Sequence, residues 1–269
     1  RHSIASLRSA IRSGTVRELA EKASLSSPRS VERLRRHDSL TMADKGRSTL
    51  TSVDTSGRKL RYNSPVSRQD PLVNDWRNRV SSLHTPPGHQ EQLLILLPCS
   101  ATKPYRLSQS HHRFLRNIPS NRAHQIMVTS PLGLVPRELE DMWPAAHYDI
   151  PVTGDWDADE LQMVNSMISE VCERIGYKEI INHSGMDISI EGTVCHNTRR
   201  GTAGSKESLN ELKKSVLKST ESMNLTDKSE KQHRIEVMKS RSRFLHGTDS
   251  WLKGSTVSGR LPILSISKD

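Results

Sequence analysis

The sequence is short of almost everything that builds a large independent core. Only 33% of its 269 residues are hydrophobic and 4% are aromatic, low against ordinary globular usage. The apolar residues crowd between positions 91 and 185 and thin out elsewhere. One real core is expected there, with flanks that are weakly self-sufficient. No run approaches about eighteen consecutive apolar residues, which excludes a membrane-spanning helix of the usual kind. No stretch reads as a secretory leader, so a soluble, cytoplasmic protein without membrane contact is expected.

Cysteine is equally scarce. Cys99, Cys172 and Cys195 cannot all pair, and none lies in a CxxC spacing. A structural zinc site is therefore not expected, and a reducing cytoplasm fits. GxGxxG and phosphate-binding P-loop patterns are missing, as are internal repeats. No cofactor is expected. The chain opens on Arg1 rather than methionine and reads as a fragment or a misassembled gene product.

Positive charge is what the sequence has in excess. Forty Lys and Arg stand against thirty Asp and Glu, for a formal net charge of +10. Such a surplus steers polyanions in by long-range attraction, and a nucleic acid is the expected partner.

Residues 1–40 show helical periodicity, with Ile4, Leu7 and Ile11, then Val16, Leu19, Ala20 and Ala23 at three-to-four spacing. Ser27-Pro28 reads as a cap followed by proline at the first helical position. Residues 40–70 are polar and expected to be an extended linker. Asp70 caps a short helix over 71–80, and Thr85-Pro86-Pro87-Gly88 is the strongest breaker and the expected domain boundary. Beyond it strands alternate with helices: strands at 93–97, 124–129 and 179–182, and helices at 109–117, 136–142 and 159–174. In the last, Leu161, Val164, Met167, Ile168 and Val171 share one face. Alternation of this kind implies an α/β fold with a parallel sheet. The expected organisation is a helical and linker region at 1–88, an α/β core domain at 89–195, and a polar, mobile helical linker from 196. The last residues look like the start of an incomplete C-terminal domain.

The densest concentration of reactive groups is LLILLPCSATKPYRLSQSHH, residues 93–112. Leu93 to Leu97 has no polar face and is too short for a helix, so it reads as a buried parallel strand. Pro98 ends it. The polar cluster then follows the carboxyl end of a strand, where open α/β sheets place ligands. Cys99 is a candidate nucleophile if a neighbouring cation favours its thiolate; the alternative is an inert residue at a strand end. Lys103, on a proline-set loop, can bind phosphate, pair with a carboxylate, act as an amine, or simply face solvent. Ser108 and Ser110 are candidates for binding or for capping the next helix. His111 and His112 point to different helix faces, so at most one enters the site. A second block, TSPLGLVPRELEDMWPAAHYDIPVTGDW from Thr129 to Trp156, again starts at a strand's carboxyl end. Ser130, Arg137, Glu138, His147, Tyr148 and Asp149 are its candidate binding residues. Arg137 suits a phosphate or carboxylate, and Tyr148 or Trp143 a planar base, unless these side chains pack the core or pair at the surface.

The spacing P-C-x3-K-P-Y-x2-S-x2-H formed by Pro98, Cys99, Lys103, Pro104, Tyr105, Ser108 and His111 resembles the archaeosine synthase family, paralogues of the archaeal tRNA-guanine transglycosylase. The block from Thr129 to Gly154 is similar to the same family. The resemblance is strong over residues 91–185. It is weaker over 1–80, which resembles the tail of a transglycosylase-like barrel, and over 240–269. It implies a three-layer α/β sandwich like that of uracil-DNA glycosylases. The implied activity is modification of tRNA by adding an amine, lysine in the family, to the nitrile of 7-cyano-7-deazaguanine. Cys99, Lys103, Tyr105 and His111 become the candidate catalytic residues, with tRNA, the amine donor, a radical partner enzyme and a transglycosylase subunit as partners. The transglycosylase's cysteine-rich zinc site and a PUA-type domain are not found, so no metal is expected. The competing expectation is a non-catalytic tRNA-binding module.

The excess charge makes one prediction. Binding of tRNA should weaken steeply between about 50 and 200 mM salt as phosphate counterions are released. Retention on tRNA that ignores salt would remove the electrostatic reading.

Overall fold

The computed structural model describes residues 2–43, 50–51, 59–150 and 155–246. Three helices lead: α1 (His2–Ser13), α2 (Val16–Ser24) and α3 (Pro28–Ala43). Ser27 caps α3, its hydroxyl accepting the Ser30 N–H at 3.2 Å, and Pro28 occupies the first position, where an N–H is not needed. The apolar stripe expected of α1 is not buried: Ile4, Leu7 and Ile11 are exposed, and Ala10 packs instead. What joins α2 to α3 is ionic. Arg17 is buried and donates to Asp38 at 2.6 Å and Glu21 at 2.7 Å.

The described ends of the expected linker are tied down. Thr51 donates to Asp70 at 2.5 Å, and β1 (Leu60–Arg61) enters a small pairing of its own. Asp70 then caps α4 (Pro71–Ser82), accepting the Leu72 N–H at 3.0 Å, as its sequence implies. Leu72, Val73, Trp76 and Val80 of α4 are buried, and the Trp76 indole donates to the Leu134 carbonyl at 3.0 Å. The core therefore continues across the Thr85–Gly88 breaker instead of starting after it.

The remaining elements are β2 (Leu93–Pro98), α5 (Gln109–Arg116), β3 (Ala123–Thr129), β4 (Gly133–Pro136), β5 (Tyr148–Asp149), α6 (Ala158–Ile175), β6 (Glu179–Asn182), β7 (Val194–Asn197), α7 (Lys206–Ser222) and α8 (Glu230–His246). The fold is α/β: a five-stranded sheet of order β4-β3-β2-β6-β7, parallel except for β4, flanked by helices. Among the described residues, β1 pairs with β5 alone. β2 lies at the centre, paired on both edges, and its residues Leu93 to Leu97 are at most 1% exposed. A strand covered on both faces has no use for alternation, which explains the unbroken apolar run.

Three expectations need correction. The helix expected from Pro136 is a single 3-10 turn, Arg137–Leu139, because the preceding residues form the antiparallel edge strand β4. Gly133 makes that reversal at φ +74°, where a side chain would also strike Met167 Sδ at 2.2 Å. In α6, closed by an Asp157–Glu160 capping box and by Gly176 in the left-handed region, Val164, Met167, Ile168 and Val171 are buried but Leu161 is 40% exposed. The segment from 196, expected to be a mobile helical linker, holds the end of β7 and the helix α7, which is packed down. Leu212 and Val216 are buried there, with α7 packed on β6. Helix α8 returns across α4, setting Phe244 edge-on to Trp76 at 5.5 Å and under the Arg79 guanidinium at 4.2 Å. The expected C-terminal domain start falls largely within 247–269, outside the described residues. Among the described residues, no helix is long and apolar enough to cross a membrane.

Truncation of the central strand tests this layout. Ile95→Ala should cost about 2–5 kcal/mol of unfolding free energy, measured by urea denaturation. A change within about 0.5 kcal/mol, the range of ordinary surface substitutions, would mean β2 is not the core.

Candidate active site

Parallel pairing of β2 with β3 brings Pro98 opposite Val128, so the chain leaves both strands at one edge of the sheet. The β2 exit delivers Cys99 and Lys103, makes a 3-10 turn over Tyr105–Leu107, and enters α5. The β3 exit delivers Thr129 and Ser130. Tyr148 joins them from β5. Cys99, Lys103, Tyr105, Thr129 and Tyr148 form one cluster.

The hydroxyls of Tyr105 and Tyr148 lie 2.5 Å apart, and Tyr148 continues to Thr129 Oγ1 at 2.7 Å. Both tyrosines are fully buried, and burial raises their pKa values, so they stay protonated. Lys103 Nζ stands 4.2 Å from the centroid of the Tyr148 ring, a cation–π position, and 5.9 Å from that of Tyr105. It is buried and makes no hydrogen bond among the described residues. Burial lowers the Lys103 pKa, opposed by Cys99 and by Asp149 and reinforced by Lys59. The Cys99 thiol is half-buried and raised by burial, with the Lys103 charge and a hydrogen bond from Thr129 acting the other way. The two shifts point in opposite directions, and each favours the neutral form of its group.

His111 takes a different place from the expected one. Its Nε2–H donates to the Pro98 carbonyl at 3.1 Å, and its Nδ1 accepts from Arg137 at 3.0 Å. Both ring nitrogens are occupied and the ring is buried, so it anchors the β2 exit and is no proton donor to the cluster. Arg137 is likewise committed, to His111, to Gln125 Oε1 at 3.2 Å and to Glu140 Oε2 at 3.0 Å. Ser108 is the α5 cap, accepting the His111 N–H at 3.1 Å. Ser130 donates to Glu160 Oε1 at 2.5 Å. Asp149 is exposed at the mouth, and half-buried His147 precedes Tyr148, its carbonyl accepting the Leu60 N–H at 2.7 Å.

Glu138 does not join the cluster. It is buried between His84 Nε2, at 2.8 Å, and His124 Nε2, at 3.2 Å. His124 is the second residue of β3 whereas Thr129 closes it, roughly 16 Å of strand away. The residue that sequence reasoning missed at the site is Thr129, treated there only as the start of a block. His84 and His124 were missed as well; a histidine on a strand otherwise apolar, HQIMVT, was the available signal.

Residues 73–216, from α4 into α7, match the family described as a domain of unknown function, DUF5591. The chain belongs to this family. It is 51% identical over 90 residues to the archaeosine synthase of Haloferax volcanii, covering 34% of this chain and 15% of that protein. It is 38% identical over 133 residues to the archaeosine synthase subunit alpha of Methanosarcina acetivorans, covering 44% and 21%. The archaeosine synthase of Methanocaldococcus jannaschii is 26% identical over 255 residues, covering 90% and 41%. The chain thus spans less than half the length of these curated relatives. The family match takes in the whole sheet and the Cys99 cluster.

His111 supplies a pH test. Burial, then the Arg137 charge, lower its pKa to about 3. An unfolded histidine titrates at about 6.5, so below that pH the unfolded chain takes up the proton first. The stabilisation is complete above the unfolded value and is lost as pH falls toward about 3. His111→Gln should flatten that acid loss when urea midpoints are followed against pH. A variant profile parallel to wild type would show that His111 is not held neutral.

Proposed function

We propose that this chain performs the archaeosine-synthase step on tRNA, adding an amine, lysine in the first instance, to the nitrile of a 7-cyano-7-deazaguanine base. The observation that carries the reading is the buried, unbonded Lys103 amine beside the Cys99 thiol at the carboxyl edge of the sheet. The relatives' names supply the pathway, and the partly buried pair supplies a chemistry suited to it.

A nitrile is a weak electrophile whose nitrogen gains charge as its carbon is attacked. Lys103, as the free amine, takes the Cys99 proton, and the thiolate adds to the nitrile carbon. The lysine ammonium returns that proton to the nitrile nitrogen, leaving a thioimidate. The incoming amine then adds to the same carbon and the sulfur leaves, recovering its proton through Lys103. The product is a substituted amidine, and no electrons are gained or lost. The Tyr105–Tyr148–Thr129 chain holds the ring under Lys103 and the hydroxyl beside the sulfur. Asp149 at the mouth can receive the ammonium group of an amino-acid donor. Lys59 adds positive charge there for the tRNA backbone. A transglycosylase that installs the base and a radical enzyme that releases the final amidine complete the pathway as separate partners.

Incubation with tRNA carrying the cyano base and lysine, followed by nucleoside mass spectrometry, tests this. An adduct is expected, and Lys103→Ala and Cys99→Ala should each slow it by about 10²–10⁴-fold. Tight tRNA binding with no adduct would favour the binding-module reading. If both variants keep the wild-type rate, the assignment of chemistry to this cluster is wrong.

A further inference from the structure

At the opposite end of β3, three side chains converge without a role in the chemistry above. We propose that His84, His124 and Glu138 form a site for a zinc-type divalent cation, independent of the Cys99 cluster.

All three are buried, and their ligand atoms lie within 4.8 Å of one another. The two Nε2 atoms approach the same oxygen, Glu138 Oε1, at 2.8 and 3.2 Å. Tetrahedral zinc with bonds of about 2.0 Å separates neighbouring ligand atoms by about 3.3 Å, so little movement admits the ion. His124 Nε2 is fully enclosed yet makes no hydrogen bond, while its Nδ1 meets the Tyr177 hydroxyl at 2.5 Å. With Nδ1–H donating to that oxygen, the Nε2 lone pair faces a carboxylate, and a cation between them satisfies both. The Tyr177 contact is also the outer-shell bond that fixes a metal-binding imidazole.

The charge balance points the same way. A buried carboxylate needs a counter-charge, and among the described residues the titratable groups at the Glu138 carboxylate are these two imidazoles, which supply none while neutral. Arg241 is close but donates to the Glu138 backbone carbonyl at 2.9 Å and to Asp141 at 2.7 Å. Two imidazoles and one carboxylate suit zinc and offer too few oxygens for calcium or magnesium. Glu138 also lines a cavity of about 730 Å³ together with Gln90, Gln125, Asp141 and His233. The cavity borders the cluster on the Glu138 side, and both histidines lie behind it. The ion would tie together the segment after α4, the start of β3 and the turn after β4. Ser240 of α8, 3.3 Å from Glu138 Oε1, closes the site.

The test uses the full chain freed of metal with a chelator, then titrated with zinc alone against a chromogenic competitor. About one equivalent should bind and the thermal midpoint should rise. His84→Ala and His124→Ala should abolish uptake. Tyr177→Phe, which leaves all three ligands in place, should weaken it by roughly 10- to 100-fold. His233→Ala, in the same cavity, should bind like wild type. If the histidine variants do not fold, the wild-type titration and Tyr177→Phe decide. Failure of the wild type to take up zinc, or unchanged affinity in Tyr177→Phe, overturns the proposal.

Discussion

The structure depends on a single strand being wanted on both edges and both faces. Leu93 to Leu97 is enclosed by β3 and β6 along its edges and excluded from water throughout. In a chain this poor in apolar residues, that strand is where burial is concentrated. Parallel pairing then has a geometric consequence: the chain must leave β2 and β3 at the same edge. Cys99 and Thr129, thirty positions apart in sequence, become neighbours because their strands run the same way.

The chemistry of the cluster is a by-product of the same burial. For a thiol and an amine placed near the top of an enclosed strand, burial disfavours the charged form of each. The cysteine moves up, the lysine moves down, and each resists the other's shift. Neither group would be poised in this way on the surface. The ring of Tyr148 beneath Lys103 gives the ammonium a partner that needs no hydrogen bond, leaving its N–H groups free for a ligand. The neighbouring polar residues are committed to scaffolding: His111 and Arg137 brace the β2 exit, and Ser108 starts α5.

β3 connects two sites of different character. Its last residue serves the thiol–amine cluster, and its second residue enters the His84–Glu138 cluster. Sequence adjacency misleads here, because Arg137 and Glu138 are consecutive yet turn to different neighbours. They sit in a 3-10 turn, whose three residues per turn set consecutive side chains about 120° apart.

Much was legible in the residues themselves. The unbroken apolar run announced β2, the Asp70-Pro71 and Ser27-Pro28 pairs announced helix starts, and the spacing from Pro98 to His111 announced the cluster and its relatives. These signals are local, set by periodicity, capping and covalent spacing. Others were not legible. β4 is four residues with a proline at its end, and β7 is Val-Cys-His-Asn; neither has a pattern until a neighbouring strand offers hydrogen bonds. The burial of α7, the solvent exposure of the α1 stripe and the withdrawal of His111 into a brace depend on what packs against them. The sequence by itself determined the central strand and the reactive groups that follow it. Only the tertiary structure decided which of those groups face one another, because long-range pairing, not local preference, sets the distance between two strand ends.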